Sequence, residues 1–556
     1  MGRGQLGGKA QGLAHFKNLI ESKLAPAYLP DIEIIIPTLT VITTDFFDFF
    51  LKQNNLLEII HPGLRDDQIA TIFQKAELPA PLVGDLRALI AQVHTPLAVR
   101  SSSLLEDAMF EPFASVYATK MIPNNQADTD IRFKKLIEAI KYVYASTFFT
   151  DAKNYIQATK HTTADEKMAV IIQEIVGVRH KKRFYPHLSG VARSYNFYPL
   201  GHAKPSHGVI DLALGLGKTI VDDGVAWSYS PAFPQANPPY NTLRDLLRQT
   251  QREFWAVNMG TPSEYNPVKE TEYLMKFGLD CAEEDGILRF IASTYRAQDD
   301  KIVFGVTENG PRVLDFSPLL KFDLLPLNKM LRELLALCAE ESERMVEIEF
   351  ALTFNEKRGT PARFGFLQVR PMVVSQDKVE LKSKDLTGDH VFVASESALG
   401  NGTVDDILDV VNLKPDRFHV QYSEQIAQEL ELLNRRLVAA STPYLLIGFG
   451  RWGTSDPQAG IPVNFGQICG AKVIVELALP AAHSLLSQGS HFFHNITSFK
   501  VLYFSVGNGA RDRIDWNWLV GQTTVEETEF VRHVRLASPL EILVDGTTSR
   551  GVIKHD

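Results

Sequence analysis

The stretch Val346-Glu347-Ile348-Glu349-Phe350, answered further on by Phe366-Leu367-Gln368-Val369-Arg370, decides how this chain is read. Both segments alternate, and alternate side chains of a strand share a face. Glu347 and Glu349 then point one way while Ile348 and Phe350 enter a core, and Gln368 and Arg370 share a face backed by Leu367 and Val369. Asn355, Gly359 and Pro361 in between suit the turn of a hairpin. Paired, the strands present two carboxylates, an amide and a guanidinium on one surface. Such oxygen ligands suit Mg²⁺, which takes one or two carboxylates and completes its shell with phosphate and water. A guanidinium beside them is shaped for bidentate bonding to a phosphoryl group. The competing reading is a solvated hairpin face with an ordinary, weak Glu–Arg pair.

Working outward, Leu97-Ala98-Val99-Arg100-Ser101-Ser102-Ser103 reads as a strand that delivers Arg100 to its end, with Glu106 and Asp107 following. Its small hydroxyl residues let an anion approach the backbone and offer donors of their own. Alternatively Ser101–Ser103 cap the next helix, with Glu106 closing a capping box on Ser103. Both can hold, because a helix N-terminus is itself an anion site. The run Gly7-Gly8-Lys9-Ala10-Gln11-Gly12-Leu13 pairs glycines that permit close backbone approach with a lysine point charge suited to phosphate.

In this order the segments resemble the PEP/pyruvate-binding (ATP-grasp) N-terminal domain of the pyruvate phosphate dikinase and phosphoenolpyruvate synthase family, which the rifampin phosphotransferases share. Gly7–Leu13 matches its GGK-x-x-x-L opening, Val99–Asp107 its VRSS-x-x-x-ED motif, and Tyr144–Tyr155 its FAS-x-F-x-D-x-A helix. Met168–Val176 with Ser189–Ala192 matches a further strand motif, Gly215-Leu216-Gly217 the glycine loop, and Glu347–Phe350 with Leu367–Pro371 the closing motif. The resemblance runs over roughly residues 5–375. It implies that Lys9, Arg100 and Arg370 bind ATP phosphates, that Arg100 and Arg370 act in catalysis, and that Glu349 and Gln368 hold Mg²⁺. Glu347 stands where the family has Asp; Gln173, Glu174 and Val176 would lie along the adenine, and Gly215 and Gly217 in the nucleotide loop. The chain also departs from the pattern. Lys218 replaces the glutamate of the family's GLGE, and Glu111-Pro112-Phe113-Ala114-Ser115 is bulkier than the family norm. These 556 residues hold no TSH-x-A phosphohistidine motif, and no pyruvate-binding barrel is expected within them.

Length and composition frame this reading. At 556 residues the chain exceeds one core, since single cores stop growing at roughly 250–300 residues. The mixture of strands and helices predicts an α/β (α+β) class: a two-subdomain ATP-grasp unit over 1–205 and 206–388, then a separate α/β domain over 389–556. Helices are expected over Asp130–Ile156, with Asp130 as N-cap, over Thr242–Trp255 and over Ser423–Ala440. A net charge of −9 argues against a broad nucleic-acid or anionic-membrane surface, and no apolar run reaches membrane-spanning length. Three scattered cysteines, with no CxxC pair, fit a reducing cytosol. The start at Met1-Gly2-Arg3-Gly4 lacks a signal peptide's apolar core and enters a glycine motif at once, so an upstream segment is expected.

Three other motifs bear on function. Gly217-Lys218-Thr219 is no P-loop, because the required first glycine falls on Leu212. Gly448-Phe449-Gly450-Arg451-Trp452-Gly453 matches GxGxxG after an apolar strand, but Asp456-Pro457 and Gly460-Ile461-Pro462 argue for a loop where a dinucleotide site opens a helix. Arg451 remains a candidate for an anion there. His491 in Ser490-His491-Phe492-Phe493-His494 is a candidate phosphoacceptor, with a structural histidine pair as the alternative. The expected function is an ATP- and Mg²⁺-dependent phosphotransferase with an unassigned small-molecule or protein acceptor; the alternative is a non-catalytic ATP-binding sensor or scaffold module.

Overall fold

The computed structural model describes residues 1–23, 30–61, 63–104, 116–157, 166–197, 199, 202–221, 225–236, 243, 246–247, 250–262, 264–306, 308–355, 357, 359–372, 379–454, 460–479, 492, 496, 499–507 and 509–555. They form two compact units: 1–153 with 161–195 and 206–371, and 154–160 with 196–205 and 372–556. Mixed helices and sheets make up both, as the α/β reading expects. No helix among the described residues is long and apolar enough to cross a membrane.

In the first unit the strands are β1 (Ile32–Ile35), β2 (Leu39–Ile42), β3 (Leu97–Ser103), β4 (Thr119–Ile122), β5 (Met168–Glu174), β6 (Val178–His180), β7 (Arg183–Tyr185), β8 (Leu188–Arg193), β9 (Val209–Ala213), β10 (Trp227–Tyr229), β11 (Glu253–Asn258) and β12 (Leu274–Gly278). They continue with β13 (Ser293–Arg296), β14 (Lys301–Phe304), β15 (Arg312–Val313), β16 (Val346–Thr353) and β17 (Ala362–Pro371). A six-stranded sheet runs β1-β17-β16-β8-β9-β10, and four-stranded sheets run β2-β5-β3-β4 and β12-β11-β7-β6. The large sheet buries Ile348, Phe350, Phe364 and Val369 against the Leu327–Ser342 helix. That helix forms because Leu327, Met330, Leu331, Leu334, Leu335 and Cys338 fall on one face at three- and four-residue spacing. It stops where Glu343 turns left-handed, at φ 53°.

Two helix expectations are corrected. The helix expected over Asp130–Ile156 is two, Thr129–Ser146 and Thr150–Gln157, and the first is capped by Asp128, whose carboxylate accepts from the Asp130 amide. In the helix expected over Thr242–Trp255, residues 243 and 246–247 are helical and the others before Thr250 lie outside the described residues. From Glu253 the chain is the β11 strand. Gln251 makes the change: its carboxamide bonds both the amide and the carbonyl of Leu214 and the carbonyl of Glu253. Long-range pairing to β12 and β7 then overrides local helical periodicity.

The second unit holds β18 (Val391–Ser395), β19 (Ser397–Leu399), β20 (Gly402–Leu413), β21 (Tyr444–Phe449), β22 (Arg451–Trp452), β23 (Gly460–Ile461), β24 (Ala471–Leu477), β25 (Leu502–Val506), β26 (Arg513–Ile514), β27 (Thr523–Glu527), β28 (Val531–Asp545) and β29 (Arg550–Lys554). The expected Ser423–Ala440 helix is present as Ser423–Ala439 and joins the parallel pair β20 and β21. β21, β24 and β25 continue that parallel run, β28 flanks β20 antiparallel, and β29 pairs antiparallel with β28. β18 pairs with β29 while β19, one residue later, pairs with β25. One nearly continuous strand therefore stitches the two borders of the sheet together around an interior of Val410, Ile447, Val475, Phe504 and Ile542.

Candidate functional site

The β16–β17 pairing sets Glu347 opposite Arg370 and Glu349 opposite Gln368. β8 sets Arg193 opposite Glu347, and β9 and β10 bring Asp211 opposite Val191 and Ser228 opposite Asp211. Opposed residues of antiparallel strands share a face, so one face of the sheet carries a row of alternating charge: Arg370, Glu347, Arg193, Asp211. Arg370 Nε donates to Glu347 Oε1 at 2.6 Å. Arg193 Nη1 donates to Asp211 Oδ2 at 2.8 Å, and its Nε lies 2.5 Å from Glu347 Oε2 as an ion pair outside hydrogen-bond alignment. Ser228 bonds Asp211 in turn. All four charged side chains are at most 6% exposed, which overturns the solvated-hairpin reading.

The row opens at one end. Glu349 is 19% exposed and lies 3.7 Å from Arg370 Nη2. There Arg100 arrives from the β2-β5-β3-β4 sheet, and its Nη2 donates to Gln368 Oε1 at 2.7 Å and to Glu349 Oε2 at 3.3 Å. Ser101–Ser103 are fully buried within β3; residues 105–115, with the Glu106 and Asp107 on which the capping reading turns, lie outside the described residues. Ser101 Oγ receives Lys9 Nζ at 3.4 Å, and Ser102 Oγ takes the Ala10 amide at 3.2 Å while donating to the Leu6 carbonyl. Lys9 stands in the first turn of the Gly8–Lys23 helix. Gly7 makes this contact possible: at φ +77°, a Cβ there would lie 1.7 Å from the Ser102 carbonyl oxygen.

Gln173 and Glu174 end β5, and the chain through Val176 passes from one four-stranded sheet into the other at β6. Gln173 is buried, Glu174 accepts from the Thr95 hydroxyl at 2.7 Å, and Val176 packs on Gly365 beside the charged row. The glycine loop binds elsewhere: Gly215, at φ +83°, gives its carbonyl to Ser189 and fits where a Cβ would meet the Trp255 carbonyl at 2.6 Å. Lys218, after Gly217, lies 3.9 Å from Glu270. Sequence reading missed Arg193 and Asp211. Their signal was a lone charge closing or interrupting an apolar strand, Ser189-Gly190-Val191-Ala192-Arg193 and Val209-Ile210-Asp211-Leu212.

A second buried pair lies on β4. Lys120 Nζ sits 2.8 Å from Glu272 and donates to the Pro267 carbonyl at 2.7 Å, both side chains being 1% exposed or less. The rings of Tyr142 and Tyr273 cover it, and burial holds the ammonium below the usual lysine range. Elsewhere in the unit, His187 accepts the Phe354 amide on Nδ1, so its neutral ring carries the proton on Nε2 and donates to His180 Nε2 at 3.2 Å. Burial lowers its pKa to about 3.

The candidates of the second unit fare differently. His491 and the 480–491 segment lie outside the described residues. After β21 the glycine run enters the two-residue strand β22 rather than a helix. Gly448 faces the buried Trp452 ring, which a Cβ there would meet at 2.4 Å, and Gly453 abuts Phe492 in the same way. Aromatic packing accounts for those glycines.

Among the described residues no group of three or more His, Cys, Asp or Glu could hold a metal. Glu349 and Gln368 supply one carboxylate and one amide oxygen, a hard donor set that fits Mg²⁺ sharing its shell with phosphate. Arg100, Arg370 and this donor pair are drawn together from two sheets, within an α/β fold of ATP-grasp type. The chain belongs to the pyruvate phosphate dikinase, AMP/ATP-binding domain family, which matches residues 3–390. No curated protein matches the chain.

Proposed function

We propose that residues 1–388 bind ATP with Mg²⁺ and that the chain is an ATP-dependent phosphotransferase toward a small-molecule or protein acceptor. The observation that carries this is the meeting of Arg100 with Glu349 and Gln368, and of Arg370 with Glu349, across two sheets. Lys9, Arg100 and Arg370 take the phosphates, and Glu349 with Gln368 holds the metal. Gln173, Glu174 and Val176 flank the adenine, Gly215 and Gly217 line the nucleotide, and Glu347 orients Arg370. Bound Mg²⁺ would supply charge neutralisation between phosphoryl oxygens. The chain's own part is positioning and electrostatic stabilisation, which dominate phosphoryl transfer.

Arg100 bonds the same two oxygens assigned to the metal. Its positive charge opposes a cation at that position, and turning the guanidinium from Glu349 and Gln368 to phosphate would relieve the repulsion.

Isothermal titration of the folded chain with Mg-ATP tests the reading, and an absence of binding overturns it. ATP labelled at the β-phosphate then divides the outcomes. Acid-labile label on protein with AMP release marks a dikinase-type transfer, and loss of that label in His491→Ala assigns His491 as acceptor. Binding without turnover leaves a nucleotide-sensing module.

A further inference from the structure

Arg193 is a cation that the nucleotide site above gives no work. It stands two strands from Arg370, 2% exposed, and touches that arginine only through Glu347. We infer that Arg193, braced by Asp211, is a positioning residue for Arg370, acting through the Glu347 carboxylate; the inference rests on the ATP-site reading.

A buried row of charges is costly. Taking charges out of water is expensive, and well-packed apolar residues of similar volume commonly serve stability as well or better. The opposite face of β16 follows that rule with Ile348 and Phe350. The charged face breaks it four times in one line, so its charges need a different reason.

Geometry supplies one. Glu347 divides its carboxylate, with Oε1 to Arg370 and Oε2 to Arg193. Held on both sides, it cannot turn both oxygens onto Arg370. A planar guanidinium and a free carboxylate favour the two-bond fork, and forming it would turn Arg370 away from Glu349 and the open end of the row. Asp211 keeps Arg193 from following, and Ser228 anchors Asp211 from the next strand. The row is a brace whose far end lies three strands from the phosphate-facing cation.

The test uses the full chain and Mg-ATP titration of wild type, Arg193→Met, Arg370→Ala, the combination of those two, and Arg193→Met/Asp211→Leu. Arg193→Met should weaken Mg-ATP binding about tenfold, and cause no further loss when Arg370 is already alanine. Arg193→Met/Asp211→Leu should unfold at the wild-type denaturant midpoint yet keep the weakened affinity; it carries the test if Arg193→Met alone does not fold. An equal loss in both Arg370 backgrounds, or recovery of affinity together with stability in the Met/Leu variant, makes Arg193 merely structural and overturns the inference alone. A folded wild type that binds no Mg-ATP overturns the site reading, and the inference with it.

Discussion

Two buried charge systems in the first unit invite comparison. Lys120 and Glu272 form a closed pair, sealed by tyrosine rings, the ammonium donating to the Pro267 carbonyl and the carboxylate accepting the Asn266 amide. The Arg370–Glu347–Arg193–Asp211 row is equally buried but ends at the partly exposed Glu349 and Arg100. Burial alone therefore does not separate the two; the open end does. On the proposed function the closed pair should read out in stability and the open row in ligand affinity.

The largest effect should come from unsealing the closed pair. Lys120→Met strands a buried carboxylate and should cost about 3–5 kcal/mol in urea unfolding, whereas Lys120→Met/Glu272→Leu should lie near wild type. A harmless single variant would break the contrast at its first term. Next, Arg370→Ala should weaken Mg-ATP binding by about a hundredfold, ~2.7 kcal/mol, by removing a charge-assisted contact. If it changes only stability, the row is another closed system.

His187 sharpens the comparison as a group that is buried neutral. Its pKa falls from 6.5 to about 3 in the fold, so between those values the unfolded chain binds the extra proton and stability drops as pH falls. Unfolding at pH 7 and pH 5 should differ by about 2 kcal/mol from this residue, and His187→Gln should flatten that difference. The smallest effect has opposite signs. Arg100→Ala should bind Mn²⁺ about threefold tighter without nucleotide, as a paramagnetic titration would report, while binding Mg-ATP more weakly. Metal affinity that is unchanged in Arg100→Ala would mean that Glu349 and Gln368 are not the metal's ligands.

Legibility in the sequence followed the range of the interactions. Alternation in Val346–Phe350 and Phe366–Arg370 exposed both strands and their shared polar face, because period two is written locally. The serines after Arg100 were ambiguous, since small hydroxyl residues suit a cap and a buried strand alike, and the Lys9, Ala10 and Leu6 that bond Ser101 and Ser102 are distant in sequence. Leu243, Leu246 and Leu247 have helical spacing, and nothing local announces that Gln251 will bond Leu214 and begin a strand. Arg193 and Asp211 belong to two strands whose partnership exists only in the folded sheet. The glycines at 448 and 453 could be weighed only once Trp452 and Phe492 had filled the space beside them.

The stitch made by β18 and β19 bears on how the chain is synthesised. Residues 391–399 leave the ribosome well before their partners in β25 and β29, the latter spanning Arg550–Lys554. Until those partners emerge, β18 and β19 present unpaired strand edges, the feature that templates misassociation on nascent chains. Pairing of β18 and β28 with β29 is thus a late event in vectorial synthesis, and a stop codon placed before Arg550 would leave those edges open for the lifetime of the polypeptide.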